Sequence, residues 1–119
     1  MTSARWYESV LGFEMRGERF NEAADLPWVH LIHPISGVSL GLVEHPDNPG
    51  GRFDERRCGL DHLSFAVASR AELEAFARRM AELGVQAPPI IDTDVASVIV
   101  LRDPDNIQIE LCVWGGPAP

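Results

Sequence analysis

The chain has 119 residues, 45% of them hydrophobic and 24% charged, which bounds it to one domain of ordinary globular composition with a single modest core. Its 18 acidic and 10 basic residues leave a net charge of −8, and every basic residue is an arginine. That balance argues against nucleic acid, because a phosphate-binding face needs clustered cations, whereas Arg52, Arg56 and Arg57 are interleaved with acids.

In chain order, Thr2 or Ser3 can cap an opening helix whose apolar side is Trp6, Tyr7, Val10 and Leu11. Gly12 ends it as a residue able to take positive φ. Extended segments are predicted over 13–20, 28–33 and 38–43, separated by a turn over 21–27 and a tighter one at Pro34-Ile35-Ser36-Gly37. Residues 45–58 are rich in Pro, Gly and charge and read as a connector. A strand follows over 59–67. Ser69-Arg70-Ala71-Glu72 is then a capping box for a helix with Leu73, Phe76, Ala77, Met80 and Leu83 on one face, stopped by Gly84. Short strands near 89–92 and 95–102, a turn at Asp103-Pro104-Asp105-Asn106 and a strand over 107–113 complete the pattern.

The pattern repeats. Leu11-Gly12-Phe13 corresponds to Leu83-Gly84-Val85, and Val38–Leu42 corresponds to Ile107–Leu111. The expected class is α+β: an incomplete first module αβββ over 1–44, and a second module βαβββ over 59–114. His62 lies roughly twenty residues before Gly84, so the matching strand of the first module would fall about ten residues upstream of Met1 on the same period. A three-stranded sheet would keep an unpaired edge. A start codon chosen too far downstream, a truncated module or a covering partner chain would each account for this. The first is favoured for the gene, and dimerisation across the edge is expected for this polypeptide.

Chemistry concentrates on two period-two strands. Large apolar residues share one face of each, leaving His62 with Ser64, and Gln108 with Glu110 and Cys112, on the other. A neutral imidazole and a carboxylate facing one cavity are ligand types suited to a catalytic divalent metal. They are equally able to pair with each other or with water. His30 shares a strand face with Trp28, and His45 stands at the mouth of the connector, so these three are candidate ligand-lining residues. Trp28 can instead be packing and His45 a merely exposed loop residue. Arg102 is expected to pair with Asp103 or Asp105. The two cysteines, Cys58 and Cys112, are too few for a disulfide framework and read as reduced thiols. No apolar run approaches a membrane span and no leader pattern is read at the start, so cytoplasmic residence is the expectation.

Arg5-Trp6-Tyr7-Glu8-Ser9-Val10-Leu11-Gly12-Phe13, Gly59-Leu60-Asp61-His62-Leu63-Ser64-Phe65 and Arg102-Asp103-Pro104-Asp105-Asn106-Ile107-Gln108-Ile109-Glu110-Leu111 together resemble the vicinal oxygen chelate superfamily. That superfamily includes glyoxalase I, extradiol dioxygenases, fosfomycin-resistance thiol transferases and bleomycin-resistance proteins. The resemblance runs from Arg5 to Val113 and implies paired βαβββ modules in a half-barrel sheet. It also implies His62 and Glu110 as metal ligands and Glu110 as a catalytic carboxylate, beside which Trp28, His30, His45, Ser64, Gln108 and Cys112 are the ligand-lining candidates read from their strand faces and the connector. The first-strand ligand of the first module has no counterpart here, and Gly41 stands where its last-strand ligand would be. Two ligands hold a divalent ion (Zn, Ni, Mn or Fe) weakly, so a weak or absent metal is implied.

Two functions compete on this footing. One is a metal-dependent lyase, isomerase, transferase or dioxygenase acting on a small molecule. The other is a metal-free antibiotic-binding protein of the bleomycin-resistance type, and a blander third reading is an interaction or orphan module with no small-molecule role. A homodimer with a small-molecule ligand, and no nucleic-acid or membrane partner, is expected in both. A fold of this kind hosts many reactions, so the substrate is not given by the resemblance.

Overall fold

Helix α1 (Thr2–Leu11) forms where apolar residues recur on one side, burying Ala4, Tyr7, Val10 and Leu11. Gly12 follows with φ of 76°, and its N–H bonds the carbonyl of Glu8. The computed structural model describes residues 2–21, 25–86 and 89–115. Contacts divide the chain into two compact units, Met1–Gly51 and Arg52–Pro119. The boundary falls within the predicted connector.

In the first unit, β1 (Glu14–Asn21), β2 (Leu26–Ile32) and β3 (Ser39–Val43) make an antiparallel sheet in the order β1-β2-β3. The register shifts between Met15 and Gly17, a bulge that Gly17 accommodates at φ 130°. Val29 and Leu31 are the buried side of β2, alternating with Trp28, His30 and Ile32. Helix and sheet are tied through Phe13, whose ring meets Tyr7 edge-on at 6.0 Å and His33 at 5.4 Å. Glu8 Oε1 also accepts the Met15 N–H at 2.9 Å. The turn expected over 21–27 is shorter than predicted: β1 reaches Asn21 and β2 begins at Leu26, with residues 22–24 outside the described residues.

The second unit has the order β4 (His62–Ala66), α2 (Arg70–Glu82), β5 (Ile91–Asp92), β6 (Ala96–Arg102), β7 (Gln108–Trp114). Its sheet runs β4-β7-β6-β5, with β4 parallel to β7 and the other pairs antiparallel. A parallel pair needs a long crossover, and α2 lies within it. Leu73 and Met80 of α2 are fully buried, as are Ile99 and Leu101 of β6 and Ile109 of β7, with Leu111 of β7 nearly so. That row is the face β6 and β7 turn to the helix.

Several expectations are corrected here. The Ser69 hydroxyl accepts the Glu72 N–H at 3.2 Å, but Glu72 reaches back to the N–H of Ala68, one residue earlier than a standard box. Leu83 is no part of the helix core: it is the C-cap and 47% exposed. The strand expected over 89–92 shrinks to the two residues of β5. Arg102 pairs with Glu55 at 2.8 Å rather than with Asp103 or Asp105. Asp103 Oδ1 is instead occupied by the N–H groups of Asp105 and Ile107, which folds the turn before β7. Among the described residues, no helix is long and apolar enough to cross a membrane.

Leu73→Ala should therefore lower the unfolding free energy by about 2–5 kcal/mol in urea titrations, as for other fully buried leucines. Leu83→Ala should change it by less than about 0.5 kcal/mol, as expected of an exposed position.

Candidate functional site

The parallel pairing of β4 with β7 builds the site. Its register sets His62 opposite Gln108, Ser64 opposite Glu110 and Ala66 opposite Cys112. Because Leu63, Phe65, Ile109 and Leu111 take the helix side, these six residues share the other face. Two contacts confirm the common face: the Ser64 hydroxyl donates to Glu110 Oε1 at 2.8 Å and lies 3.4 Å from Cys112 Sγ. Glu110 and His62 are thus diagonal neighbours, one row apart, and it is Ser64 that stands directly across from the carboxylate.

Strand β6 extends the array on the far side of β7. Arg102 lies opposite Gln108, Val100 opposite Glu110, Val98 opposite Cys112 and Ala96 opposite Trp114. Arg102 spans Glu55 with both terminal nitrogens, at 2.8 and 3.0 Å, and donates to Gln108 Oε1 at 2.8 Å. The Arg102 guanidinium holds the Glu55 carboxyl down to about 2. The segment carrying Glu55 is fixed by the Phe53 N–H on the Asp105 carbonyl and by Asn106 Nδ2 on the Phe53 carbonyl, both at 2.8 Å. This places a charged rim at one end of the face.

His62 is oriented from the side. Its Nδ1 lies 2.6 Å from Asp61 Oδ1, and that hydrogen bond, aided by the charge of Glu110, raises the imidazole above its ordinary 6.5. In the neutral ring, a proton held on Nδ1 by Asp61 leaves the lone pair on Nε2. A carboxylate behind a histidine in this way is the outer-shell arrangement that metal-binding histidines use. Among the described residues, nothing hydrogen-bonds to His62 Nε2 or to Glu110 Oε2. The two donors suit a divalent ion in kind. They fall short in number: no group of three or more His, Cys, Asp or Glu side chains able to hold a metal forms among the described residues.

The other predicted positions lie in the first unit, on a different sheet. The Trp28 and His30 rings sit 5.8 Å apart on one face, and His30 Nε2 is 2.7 Å from Ser39 Oγ. Gly41 is opposite His30, and a Cβ there would meet the Trp28 ring at 3.6 Å. His45 is exposed just past β3. Asp61 and Glu55, which border this face, were passed over by pattern reading, and Arg102 was read only for an ion pair with nearby acids. The only local signal for Asp61 was its adjacency to His62, while the Arg102–Glu55 pair spans most of the second unit in sequence.

Comparison with known proteins gives a consistent picture. Residues 2–111 match the family model of the Glyoxalase/Bleomycin resistance protein/Dioxygenase superfamily. A glyoxylase/bleomycin resistance protein/dioxygenase domain from Frankia sp. EAN1pec is 32% identical, with 96% of this chain and 82% of that one covered, at a TM-score of 0.85. TnmS3, an antibiotic binding protein from Streptomyces sp. CB03234, shares the fold at 20% identity, with 92% and 82% covered and a TM-score of 0.68. So does a mutant of the fosfomycin resistance protein FosX from Listeria monocytogenes, complexed with Mn(II) and 1S,2S-dihydroxypropylphosphonic acid. There the identity is 19%, with 92% and 79% covered and a TM-score of 0.65. No curated protein matches the chain.

Asp61→Asn should lower the His62 midpoint toward 6.5, measured by NMR titration of the ring protons. Because the folded midpoint is the higher one, the Asp61–His62 pair favours the folded state fully below pH 6.5. That contribution is lost as pH rises through the raised midpoint. In Asp61→Asn this slope of stability with pH should flatten.

Proposed function

The chain belongs to the glyoxalase/bleomycin resistance protein/dioxygenase superfamily, and on that premise we propose that it holds a small molecule on the open face of β4, β7 and β6, at a metal site reduced to His62 and Glu110. The observation that carries this reading is the register pairing Ser64 with Glu110, which keeps the imidazole and the carboxylate on one face of adjacent strands. A divalent ion bound there (Zn, Ni, Mn or Fe) would supply Lewis-acid polarisation of two neighbouring ligand oxygens. The chain's own residues do the rest. Asp61 fixes the tautomer that offers Nε2, and Ser64 orients Glu110 while leaving Oε2 to accept a proton or a hydrogen bond from the bound molecule. That a fosfomycin resistance protein of the same fold is complexed with Mn(II) favours a divalent metal on this scaffold.

A second reading is metal-free binding and sequestration of an antibiotic-like molecule. It is favoured by the ligand count, since fewer than three metal-type donors gather among the described residues. The antibiotic-binding relative from Streptomyces adds support. In either case we read the protein as a homodimer, since β3 is an edge strand of its sheet among the described residues. We place it in the cytoplasm, since its two cysteines are free, one of them exposed.

Titration with Mn(II), followed by calorimetry and by metal analysis after dialysis, tests the first reading. One weak site per chain is expected, abolished by Glu110→Ala and by His62→Ala, and weakened about ten- to a hundredfold by Asp61→Asn as for other outer-shell partners. Metal content unchanged by Glu110→Ala would remove His62 and Glu110 from the account. No metal uptake, together with heat on titrating a cationic glycopeptide, would leave the second reading standing.

A further inference from the structure

One row of polar side chains crosses three strands on the open face of the second unit. Arg102 on β6 stands opposite Gln108 on β7, and Gln108 opposite His62 on β4. The links have a direction, because a guanidinium only donates. Arg102 Nη1 meets Glu55 Oε2 at 3.0 Å and the Asn106 carbonyl at 3.2 Å. Its Nη2 meets Glu55 Oε1 and Gln108 Oε1, both at 2.8 Å, so each terminal nitrogen has an acceptor for each of its protons. Gln108 must therefore turn its oxygen to Arg102, which leaves Nε2 as the donor at the other end of the amide. That nitrogen faces Asp61 Oδ1 at 3.5 Å, the longest and weakest link of the row. The same oxygen lies 2.6 Å from His62 Nδ1.

Taking His62 as a group that meets the ligand, as in the reading above, we propose that Gln108 is a positioning residue of His62. It acts through Asp61, with the direction of its amide set by Arg102. The effect is to keep the His62 proton on Nδ1 and the lone pair on Nε2. The residue type follows from its two neighbours. A carboxylate at 108 would pair with Arg102 and repel Asp61, and a cation there would do the reverse. An amide joins both, because it carries an acceptor and a donor. Asp61 needs such a partner: it precedes β4 and its side chain is 61% exposed, so a second donor on the oxygen that holds Nδ1 narrows its rotamers. Glu55 anchors the far end, since two parallel bonds fix the plane of the guanidinium. Gln108 thus stands beside the site without touching what binds there. What it sets is the tautomer that any ligand of His62, an ion or a hydrogen-bond donor, would meet.

The ring-nitrogen NMR shifts of His62 in the metal-free protein, read at alkaline pH where the ring is neutral, give the ratio of its two tautomers. Loss of the signals in His62→Gln assigns them. The Nδ1–H form should predominate, and Gln108→Met should lower its ratio to the Nε2–H form by about threefold or more, as for one net hydrogen bond. Arg102→Met, which frees the amide to turn round, should act in the same direction. Both effects should vanish beside Asp61→Ala, because a residue acting through Asp61 then has nothing to act on. Circular dichroism checks that each variant keeps the fold. A ratio unchanged by Gln108→Met or by Arg102→Met would overturn the inference. So would a fall that persists undiminished beside Asp61→Ala, which would mean a general structural role. The tautomer ratio is read without metal, so failure of the protein to take up Mn(II) would remove the metal reading and leave this one to its own test.

Discussion

The parallel ladder between β4 and β7 is the constraint on which the rest depends. A strand's side chains alternate strictly, so a slip of one residue would turn His62 and Ser64 toward the helix and strand Leu63 and Phe65 on the open face. What forbids the slip lies on the opposite side. Ile109 and Leu111 are buried with Leu73 and Met80 of α2, and α2 is itself in the crossover that brings β4 beside β7. Apolar packing on one face thus fixes the polar geometry on the other.

The polar end of the open face is held by fixed charges. Arg102, bridging Glu55 and Gln108, ties the segment before β4 to both central strands. Asp54, beside it, is also held down to about 2, through Arg56. Asp54 and Glu55 therefore stay ionised far into the acid range, and this edge of the face keeps its charge there. Exposed pairs of this kind contribute little to stability. Their part is to keep side chains in place.

Much of this was legible from the residues, and what was missed has a common cause. Helix ends at Gly12 and Gly84 and the face assignments of His62, Ser64, Glu110 and Cys112 are local properties, governed by positive φ and by a period of two. Register is different. That Ser64 rather than His62 faces Glu110 follows from how a long crossover closes, which no window of the sequence contains. Arg102 was assigned to nearby acids because they are nearby. The fold instead spends Asp103 on backbone N–H groups and delivers Glu55 from far upstream. Leu83 fits the helical period yet falls at the cap, where the last turn has already left the sheet. The length of β5 was equally hidden, since a two-residue strand carries too little alternation to read.

Gly41 has a consequence for how such a scaffold can change. Its φ lies outside the left-handed region, so its backbone makes no demand for glycine. A Cβ grafted there would rest against the Trp28 indole at ordinary van der Waals distance, 3.6 Å. Giving this half a coordinating group would accordingly take a single substitution, with the indole flanking the new side chain on one side. The inequality of the two halves at this position is thus one residue deep, not a demand of the backbone or of packing.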